Sequence, residues 1–197
     1  MRPADIQELV QVTAPGVLPI TLAEAKVQLR LESSDASEDT YLTMLISAAV
    51  EWGEAYTGRA FINRTLKFIF SDFPIFNAVE LPISPVSTVS AVKYLSAGAL
   101  STMPSTDWVV PSASRNAQVC LAAGKSWPTD LDDQRKNVTI EFTAGYGAAA
   151  GDVPAGIRMA LLQFVGWAYT NRGDCDVSNP PSAIMRAFAP YRVMRVI

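Results

Sequence analysis

The chain has 197 residues, of which 49% are hydrophobic and 18% are charged, and its formal net charge is −3. An average soluble domain carries roughly 25% charged residues, so the surface of this protein is poor in charge. We expect the extra apolar residues to lie either in a subunit interface or in a well-filled monomer core. A protein that grips DNA by its phosphates needs a basic surface, so the composition excludes tight binding of nucleic acid.

The sequence contains no histidine and two cysteines. Without imidazole, His-based catalytic triads and the HExxH zinc motif are excluded. Cys120 and Cys175 form no CxxC pair and are interpreted as reduced, buried thiols of a cytosolic protein. The N-terminal sequence lacks the apolar segment of a secretory signal, and no apolar run is long enough to span a membrane. We therefore expect no metal, no cofactor and no contact with a membrane.

Residues 1–19 are predicted to be irregular, because three prolines punctuate them. A first helix begins at Thr21, which has capping-box spacing with Glu24. In such a box the hydroxyl accepts a first-turn backbone N–H and the carboxylate accepts the backbone N–H of the cap. The apolar positions of this helix run to Leu31, where the polar segment SSDAS interrupts them.

A longer second helix is predicted from Ser37 or Glu38 to Gly58. Acidic residues in its first turn interact favourably with the helix dipole, and Gly58 suits the left-handed conformation at a helix C-terminus. Its apolar stripe has the period of a helix and comprises Tyr41, Leu42, Leu45, Ile46, Ala49, Val50, Gly53 and Tyr56. The short connection predicts that the first two helices are antiparallel neighbours.

From Asn63 the hydrophobic period changes to two, which is typical of strands. The predicted strands are Leu66 to Phe70, residues 86–95, 108–110 and 118–121, and Val138 to Phe142. In the last of these, apolar residues alternate with threonine and glutamate, which indicates a half-buried strand.

After a glycine turn, a third helix is predicted to start with Pro154, a favourable first-turn residue. Its buried stripe comprises Ile157, Ala160, Leu161, Phe164, Val165 and Ala168. A last short helix is expected at about 182–188.

This order of elements predicts an α+β fold. The N- and C-terminal helices form an antiparallel helical bundle, and a small antiparallel β lobe is inserted between them. We predict a single domain over 1–197, with helices at about 21–58 and 153–188, the β lobe at about 63–146 and a C-terminal tail at 189–197.

Three patterns resemble ligand sites but lack a required residue. Gly124-Lys125-Ser126 resembles the end of a P-loop, yet Val119 stands where the first glycine is needed. Asp130, Asp132 and Glu141 fit a calcium-loop frame whose obligatory glycine is replaced by Arg135. Gly145-Tyr146-Gly147 lacks the third glycine of a dinucleotide site. These segments are interpreted as turns and solvated loops, and no catalytic residue is predicted.

The C-terminal segment from Arg186 to Ile197 contains three arginines and no acidic residue, mixed with large apolar side chains. One interpretation is a segment folded on its own domain. The other is a docking tail, with apolar anchors and guanidinium groups that pair with an acidic partner.

Four segments together resemble the head–tail connector, or adaptor, proteins of long-tailed bacteriophages and gene transfer agents. They are Ile20–Lys26 with Leu29–Leu31, Glu54–Arg59, Phe142–Gly147 with Val153, Pro154 and Ile157, and Asn171-Arg172 with Ala189–Arg192. Their order and spacing cover nearly the whole chain, whereas residues 72–135 match only in general style.

The resemblance implies a structural virion protein without catalytic residues. It implies a cyclic, head-to-tail ring of about a dozen subunits below the portal protein. The ring receives the tail, usually through a stopper protein, and lets DNA pass without tight binding. The expected location is the neck of a phage-like particle assembled in the bacterial cytoplasm.

Two sets of residues are candidates for assembly. The predicted portal-docking tail comprises Pro190, Tyr191, Arg192, Val193, Met194 and Arg195. The candidates for packing between ring subunits are Tyr41, Leu45, Trp52, Tyr56, Phe164 and Trp167.

Three alternatives remain open at the level of sequence. A tail-completion or stopper protein would occupy the same neck but bind the far side of the connector. A small cytosolic enzyme would need a carboxylate acid–base pair in the β lobe. A cytosolic regulatory binding module would need neither a particle nor a ring.

Overall fold

The computed structural model describes residues 7–111, 117–132, 134, 136–173 and 176–193. The chain divides into two compact units. The helical unit is built from residues 15–62 and from residue 146 onward, and the sheet unit from residues up to 14 together with 63–145. The α+β class with antiparallel sheets is confirmed.

The helical unit contains four α-helices within the described residues. They are α1 (Leu22–Leu29), α2 (Asp39–Thr57), α3 (Ala155–Thr170) and α4 (Ser182–Phe188). Short 3₁₀ turns at Ala150–Asp152 and Ala189–Tyr191 precede α3 and follow α4.

Helix α1 starts with the predicted capping box. The Thr21 hydroxyl accepts the backbone N–H of Glu24 at 3.2 Å, and the Glu24 carboxylate accepts that of Thr21 at 2.8 Å. The helix stops before Leu31 because Arg30 adopts a left-handed conformation with φ 57°. Helix α2 ends as predicted, with Gly58 at φ 69°.

A buried lysine ties α1 to the start of α2. The Lys26 ammonium group pairs with the Asp39 carboxylate at 2.6 Å and donates to the backbone carbonyl of Asp35 at 2.7 Å. Lys26 is only 6% exposed, and a buried charge is tolerated when it is paired in this way. The connection between α1 and α2 is therefore fixed by a polar contact as well as by apolar packing.

The helices share one apolar core. The predicted stripe of α3 is confirmed in full, since all six of its residues are 0% exposed. The buried residues of α2 are Leu42, Leu45, Ile46, Ala49, Gly53 and Thr57. Phe61, Ile184 and Phe188 join the same core from the segments after α2 and in α4.

The sheet unit contains a five-stranded antiparallel sheet in the order β1-β2-β8-β4-β5 and a three-stranded antiparallel sheet in the order β3-β7-β6. The strands of the first sheet are β1 (Glu8–Gln11), β2 (Arg64–Phe70), β4 (Val86–Ser96), β5 (Ala99–Thr102) and β8 (Val138–Ala144). Those of the second are β3 (Ala78–Glu80), β6 (Trp108–Val109) and β7 (Gln118–Leu121).

The central pair β2–β8 follows the predicted alternation. Leu66 lies opposite Phe142 and Phe68 lies opposite Ile140, and all four side chains are buried. On the other face, Glu141 pairs with Lys67 at 3.1 Å and with Lys93 at 3.0 Å. These hydrogen bonds from Lys93 and Lys67 lower the pKa of the Glu141 carboxyl.

Three strands were not predicted. The expectation that residues 1–19 are irregular is wrong for Glu8–Gln11, which pairs with β2 at the edge of the larger sheet. Strands β3 and β5 are also additions. Each is short, and a strand of three or four residues has too few positions to show alternation; its structure depends on the partner strand.

Gly145 ends β8 in a conformation that only glycine adopts easily. Its φ is +145°, and a Cβ there would lie 2.4 Å from the backbone nitrogen of Asn63. Its backbone N–H donates to the carbonyl of Pro85 at 2.9 Å. The close approach of these backbone segments therefore requires the absence of a side chain.

Gly145→Ala is expected to destabilise the protein by about 2–4 kcal/mol, because it adds backbone strain to a steric overlap that no side-chain rotation relieves. The matched control is Gly151→Ala, since a Cβ at Gly151 meets no atom within 4 Å. We expect the control to change stability by less than about 0.5 kcal/mol. Urea unfolding of both variants measures the difference, and equal midpoints would contradict this account of Gly145.

The capping box predicts a specific pH dependence. The hydrogen bond from the Thr21 backbone has the largest effect and lowers the pKa of the Glu24 carboxyl. Burial, the second largest, opposes it, but the Thr21 hydroxyl and Arg158 lower the pKa further, so the net shift is downward. A lowered pKa contributes stability above the ordinary glutamate value of about 4.5, and that contribution is lost as the pH falls through the folded-state pKa.

Glu24→Gln is therefore expected to destabilise the protein at about pH 7, and the difference from wild type should shrink as the pH falls below about 4.5. Urea unfolding across this pH range is the measurement. Glu51→Gln, which changes an exposed carboxylate on α2, is the control. If the difference in unfolding free energy between Glu24→Gln and wild type stayed constant with pH, the capping box would make no pH-dependent contribution to stability.

Candidate assembly surfaces

The part of the predicted docking tail that the structure describes is anchored on the helical unit. The backbone N–H of Val193 donates to the carbonyl of Thr57 at 2.9 Å. The Arg59 guanidinium donates to the carbonyl of Tyr191. The Tyr191 ring lies over Gly156, where an added Cβ would be 2.4 Å from the tyrosine hydroxyl. The chain from Ala189 to Val193 is therefore folded on its own unit.

The exposed residues of this segment are Ala189, Pro190 and Arg192. The Arg192 guanidinium lies 5.3 Å from the centre of the Tyr56 ring, a cation–π contact. Met194 and Arg195, the last two residues of the predicted docking set, lie outside the described residues. The docking role of this tail stays a prediction.

Arg59 connects three separate segments. Besides Tyr191, it hydrogen-bonds Tyr146, whose hydroxyl has its pKa raised mainly by burial. The neighbouring Glu54 carboxylate accepts the backbone N–H of Phe61 at 2.7 Å. The end of α2, the turn after β8 and the start of the tail therefore meet at one arginine.

The predicted ring-packing residues differ in exposure. Leu45 is 7% exposed and Phe164 is 0% exposed, so both are core residues of the helical unit. Tyr41, Trp52, Tyr56 and Trp167 are half-buried and pack against that core. Only the half-buried four present surface to a neighbouring molecule, and their role in a ring stays a prediction.

Two of these aromatics form a stack on α2. The rings of Trp52 and Tyr56 are 4.9 Å apart and inclined by 12°. The Trp52 indole N–H donates to the carbonyl of Ser178 at 3.1 Å, which fixes the indole and the loop before α4. This stack therefore presents a rigid aromatic surface next to the tail.

A cation–π cluster that sequence reasoning missed joins the end of α3 to the start of α2. The Arg172 guanidinium lies 4.1 Å from the centre of the Tyr41 ring and 4.8 Å from that of Tyr169. It also pairs with Glu38 at 2.6 Å, and this hydrogen bond raises the pKa of Arg172. From the sequence, Arg172 was named only in a segment of the family resemblance, because no local pattern pairs residues so far apart in the chain.

The sheet unit carries a further exposed apolar surface. The loop between β2 and β3 projects Ile75, which is 98% exposed, and Phe76, which is 79% exposed. Beside it lies a cavity of about 1080 Å³ lined by residues of both sheets. Neither feature was predicted, although the apolar pair after Pro74 in SDFPIFN was a visible signal.

The near-miss motifs have structural roles in the sheet unit. Gly124 takes a positive φ in the turn after β7, and Lys125 pairs with Asp107 at 2.7 Å. Asp130 accepts from the Ser96 hydroxyl and Asp132 from the backbone N–H of Gly98. Arg135 lies outside the described residues.

Among the described residues, no cluster of three potential metal ligands is found. Within the same ranges, no helix combines the length and the hydropathy needed to cross a bilayer. Cys120 is a half-buried free thiol, whereas Cys175 falls outside the described residues.

Residues 19–98 match the family model of the phage gp6-like head-tail connector protein. In structure, the chain is similar to one in the neck of an empty GTA particle computed with C6 symmetry, with TM-score 0.81, 27% identity and coverage of 96% of this chain and 97% of that one. The chain is therefore similar to head–tail connector proteins in sequence over residues 19–98, and to a chain of a GTA neck in structure over nearly its whole length.

Two further structures show the same similarity. A chain in the virion of a native gene transfer agent particle matches with TM-score 0.79 and 27% identity, over 96% of this chain and 97% of that one. One in the neck of a native GTA particle computed with C12 symmetry matches with TM-score 0.74 and 26% identity over the same shares. No curated protein matches the sequence.

The contact between Tyr191 and Gly156 can be tested without removing the tail. Gly156→Ala should push the tyrosine off α3, because the new methyl group would lie 2.4 Å from its hydroxyl. We expect trypsin to cleave after Arg192 about tenfold faster, as the anchored segment opens more often. Mass spectrometry of the released peptide measures this rate.

Gly166→Ala is the matched control, because it also places alanine in α3 but leaves 4.0 Å to the nearest atom, in Gln28. Its cleavage rate should equal that of wild type. Equal rates in both variants would show that the Tyr191 contact does not hold the segment.

Proposed function

We propose that this protein is a structural neck component that forms a ring, joins the portal of a phage-like head to the tail and lets DNA pass. The main support for this function is the similarity to a chain in a GTA neck, which extends over 96% of this chain at 27% identity. Because the similarity spans both units, it supports a role of the whole chain like that of the matched neck chain, and not merely a shared motif. The proposed location is the neck of a particle assembled in the bacterial cytoplasm.

The proposed ring contains about a dozen copies in head-to-tail contact. The C6 and C12 symmetries of the matched necks support a cyclic arrangement. We propose that the whole chain, 1–197, acts as one connector domain, with its helices at about 21–58 and 153–188 arranged as an antiparallel bundle in the ring wall, its β lobe at about 63–146 and its tail at 189–197.

The outer face of α2 suits a contact between subunits. Met44 is 64% exposed on this face. The hydroxyls of Thr43 and Ser47 donate to carbonyls of their own helix, at 2.8 and 3.0 Å, so they need no outside partner. Burying such a surface in an interface costs little free energy of desolvation, because its hydroxyl groups already have hydrogen-bond partners. Tyr41, Trp52, Tyr56 and Trp167 would extend this contact, supported from inside by Leu45 and Phe164.

The C-terminal tail is proposed to dock on the portal. Tyr191 and Val193 hold its base on the helical unit. The exposed Pro190 and Arg192, followed by Met194 and Arg195, would supply apolar contact and charge pairing with an acidic surface.

DNA is proposed to pass without strong attachment. The formal net charge of −3 gives no overall attraction for phosphates. On the polar face of the larger sheet, Lys67 and Lys93 are both paired with Glu141, which reduces their pull on a passing duplex.

A truncation after Val193 tests the docking role and keeps the anchoring contacts. Removing residues 194–197 should leave the melting temperature within about 2 °C of wild type, but weaken binding to purified heads that lack this protein by about tenfold or more. Co-sedimentation with those heads measures the affinity. Arg186→Ala, a change at an exposed arginine of α4, is the control and should bind normally. Full head binding by the truncated protein would contradict the docking role.

A further inference from the structure

The loop of residues 71–77, between β2 and β3, presents two large apolar side chains to solvent. Ile75 is 98% exposed and Phe76 is 79% exposed. Single exposed apolar residues are common on protein surfaces, whereas an adjacent and nearly complete exposure of two large ones marks an interaction site. We call this pair the Ile75–Phe76 knob.

The knob stands on a fixed base. The ring of Phe73 stacks on Trp127 with 4.7 Å between centres and 5° between planes. The Trp127 indole N–H donates to the carbonyl of Phe76 at 2.9 Å, and the carbonyl of Asn77 accepts the backbone N–H of Leu121 at 2.8 Å. Because these contacts hold the backbone of the loop, a partner would lose little conformational entropy on binding the knob.

The surroundings of the knob are acidic. Glu80 and Asp132 line the cavity beside it and are held by neutral donors, the Gln118 amide and the backbone N–H of Gly98. Lys125 lines the same cavity, but its charge is paired with Asp107. An acidic surface around an apolar projection is complementary to an apolar pocket with a basic rim.

A second copy of this chain does not fit the knob in a closed ring. Head-to-tail rings join two different patches of the subunit, whereas a patch that meets its own copy produces a two-fold pair. Ile75 itself lines the neighbouring cavity, so the knob of one copy cannot enter the cavity of the next without forming such a two-fold pair. The chain also has a formal net charge of −3, so a second copy is electrostatically a poor partner for an acidic surface. The occupant that fits is therefore a different protein.

We infer that the Ile75–Phe76 knob docks another neck protein, on the tail side, that presents an apolar pocket bordered by lysine or arginine. This inference rests on the proposed function. In a ring the knob is repeated in every subunit, so modest individual contacts add up to a tight attachment.

The test uses full-length protein, heads that lack it, and purified tails. The variant carries both Ile75→Ser and Phe76→Ser. The matched control is Leu100→Ser, at a residue 64% exposed on β5 of the same unit. Co-sedimentation measures attachment to heads, and electron microscopy counts the fraction of heads that carry tails.

We expect the double variant to have the same melting temperature as the wild type and to attach to heads normally. It should join tails at least about tenfold less often. The Leu100→Ser control should join tails normally. Glu80→Lys should reduce joining as well, because it removes charge complementarity with a basic rim. Glu32→Lys, at an exposed residue of the connection between α1 and α2, should not.

Normal tail joining by the double variant would overturn the inference. Loss of head attachment in that variant would also overturn it, because the knob would then contact the head or a second copy. Normal tail joining by Glu80→Lys would contradict the claim that the partner's pocket is bordered by basic residues. Failure of the wild-type protein to attach to heads would contradict the proposed function. If the wild type attaches to heads and the double variant joins tails as often as the wild type, only the inference about the knob is contradicted.

Discussion

The helical unit depends on an aromatic contact that packs tightly against a glycine in α2. A Cβ at Gly53 would lie 3.1 Å from the rings of both Phe61 and Phe188. These two rings are parallel within 3°, with centres 6.4 Å apart, and Trp52 packs on Phe188 with 5.6 Å between centres. Phe61 lies just before residues 63–145 of the sheet unit and Phe188 follows them by more than forty residues, so this contact closes the helical unit. Because the tail starts directly after Phe188, the same contact sets where the tail begins.

The residues that carry the family resemblance are mostly structural. Arg59, Tyr146 and Tyr191 come from three of the four resembling segments, and they meet through the Arg59 guanidinium. Thr21 and Glu24, from the remaining segment, cap α1, and Glu24 pairs with Arg158 of α3. The resemblance thus reflects how the helical unit holds its helices and its tail base. This explains why it was visible without any catalytic motif.

Long periodic elements could be predicted from the sequence, and contacts between distant residues could not. The stripe of α3, the Gly58 end of α2 and the alternation in β8 each follow from local spacing, and the structure has them as expected. Strand β1 was missed because its pairing with β2 is what makes Glu8–Gln11 a strand. For the candidate sites, Phe164 was predicted both in the buried stripe of α3 and as a residue that packs between subunits. The structure places it in the core, whereas Trp52 reaches the surface. The Arg172 cluster depends on three-dimensional packing that no local pattern encodes. The Ile75–Phe76 knob left one local signal, the apolar pair after Pro74, but its exposure follows from the fold.

The protein combines a charge-poor surface, a rigid helical unit with an anchored tail base, and a sheet unit with an exposed apolar knob. We conclude that the chain acts by assembly in the neck of a phage-like particle. The most direct measurement is cryo-electron microscopy of the neck of the particles that contain this protein, with the chain traced in the density. The account predicts a closed ring of about a dozen copies between head and tail. Absence of the chain from the neck of complete particles would contradict it.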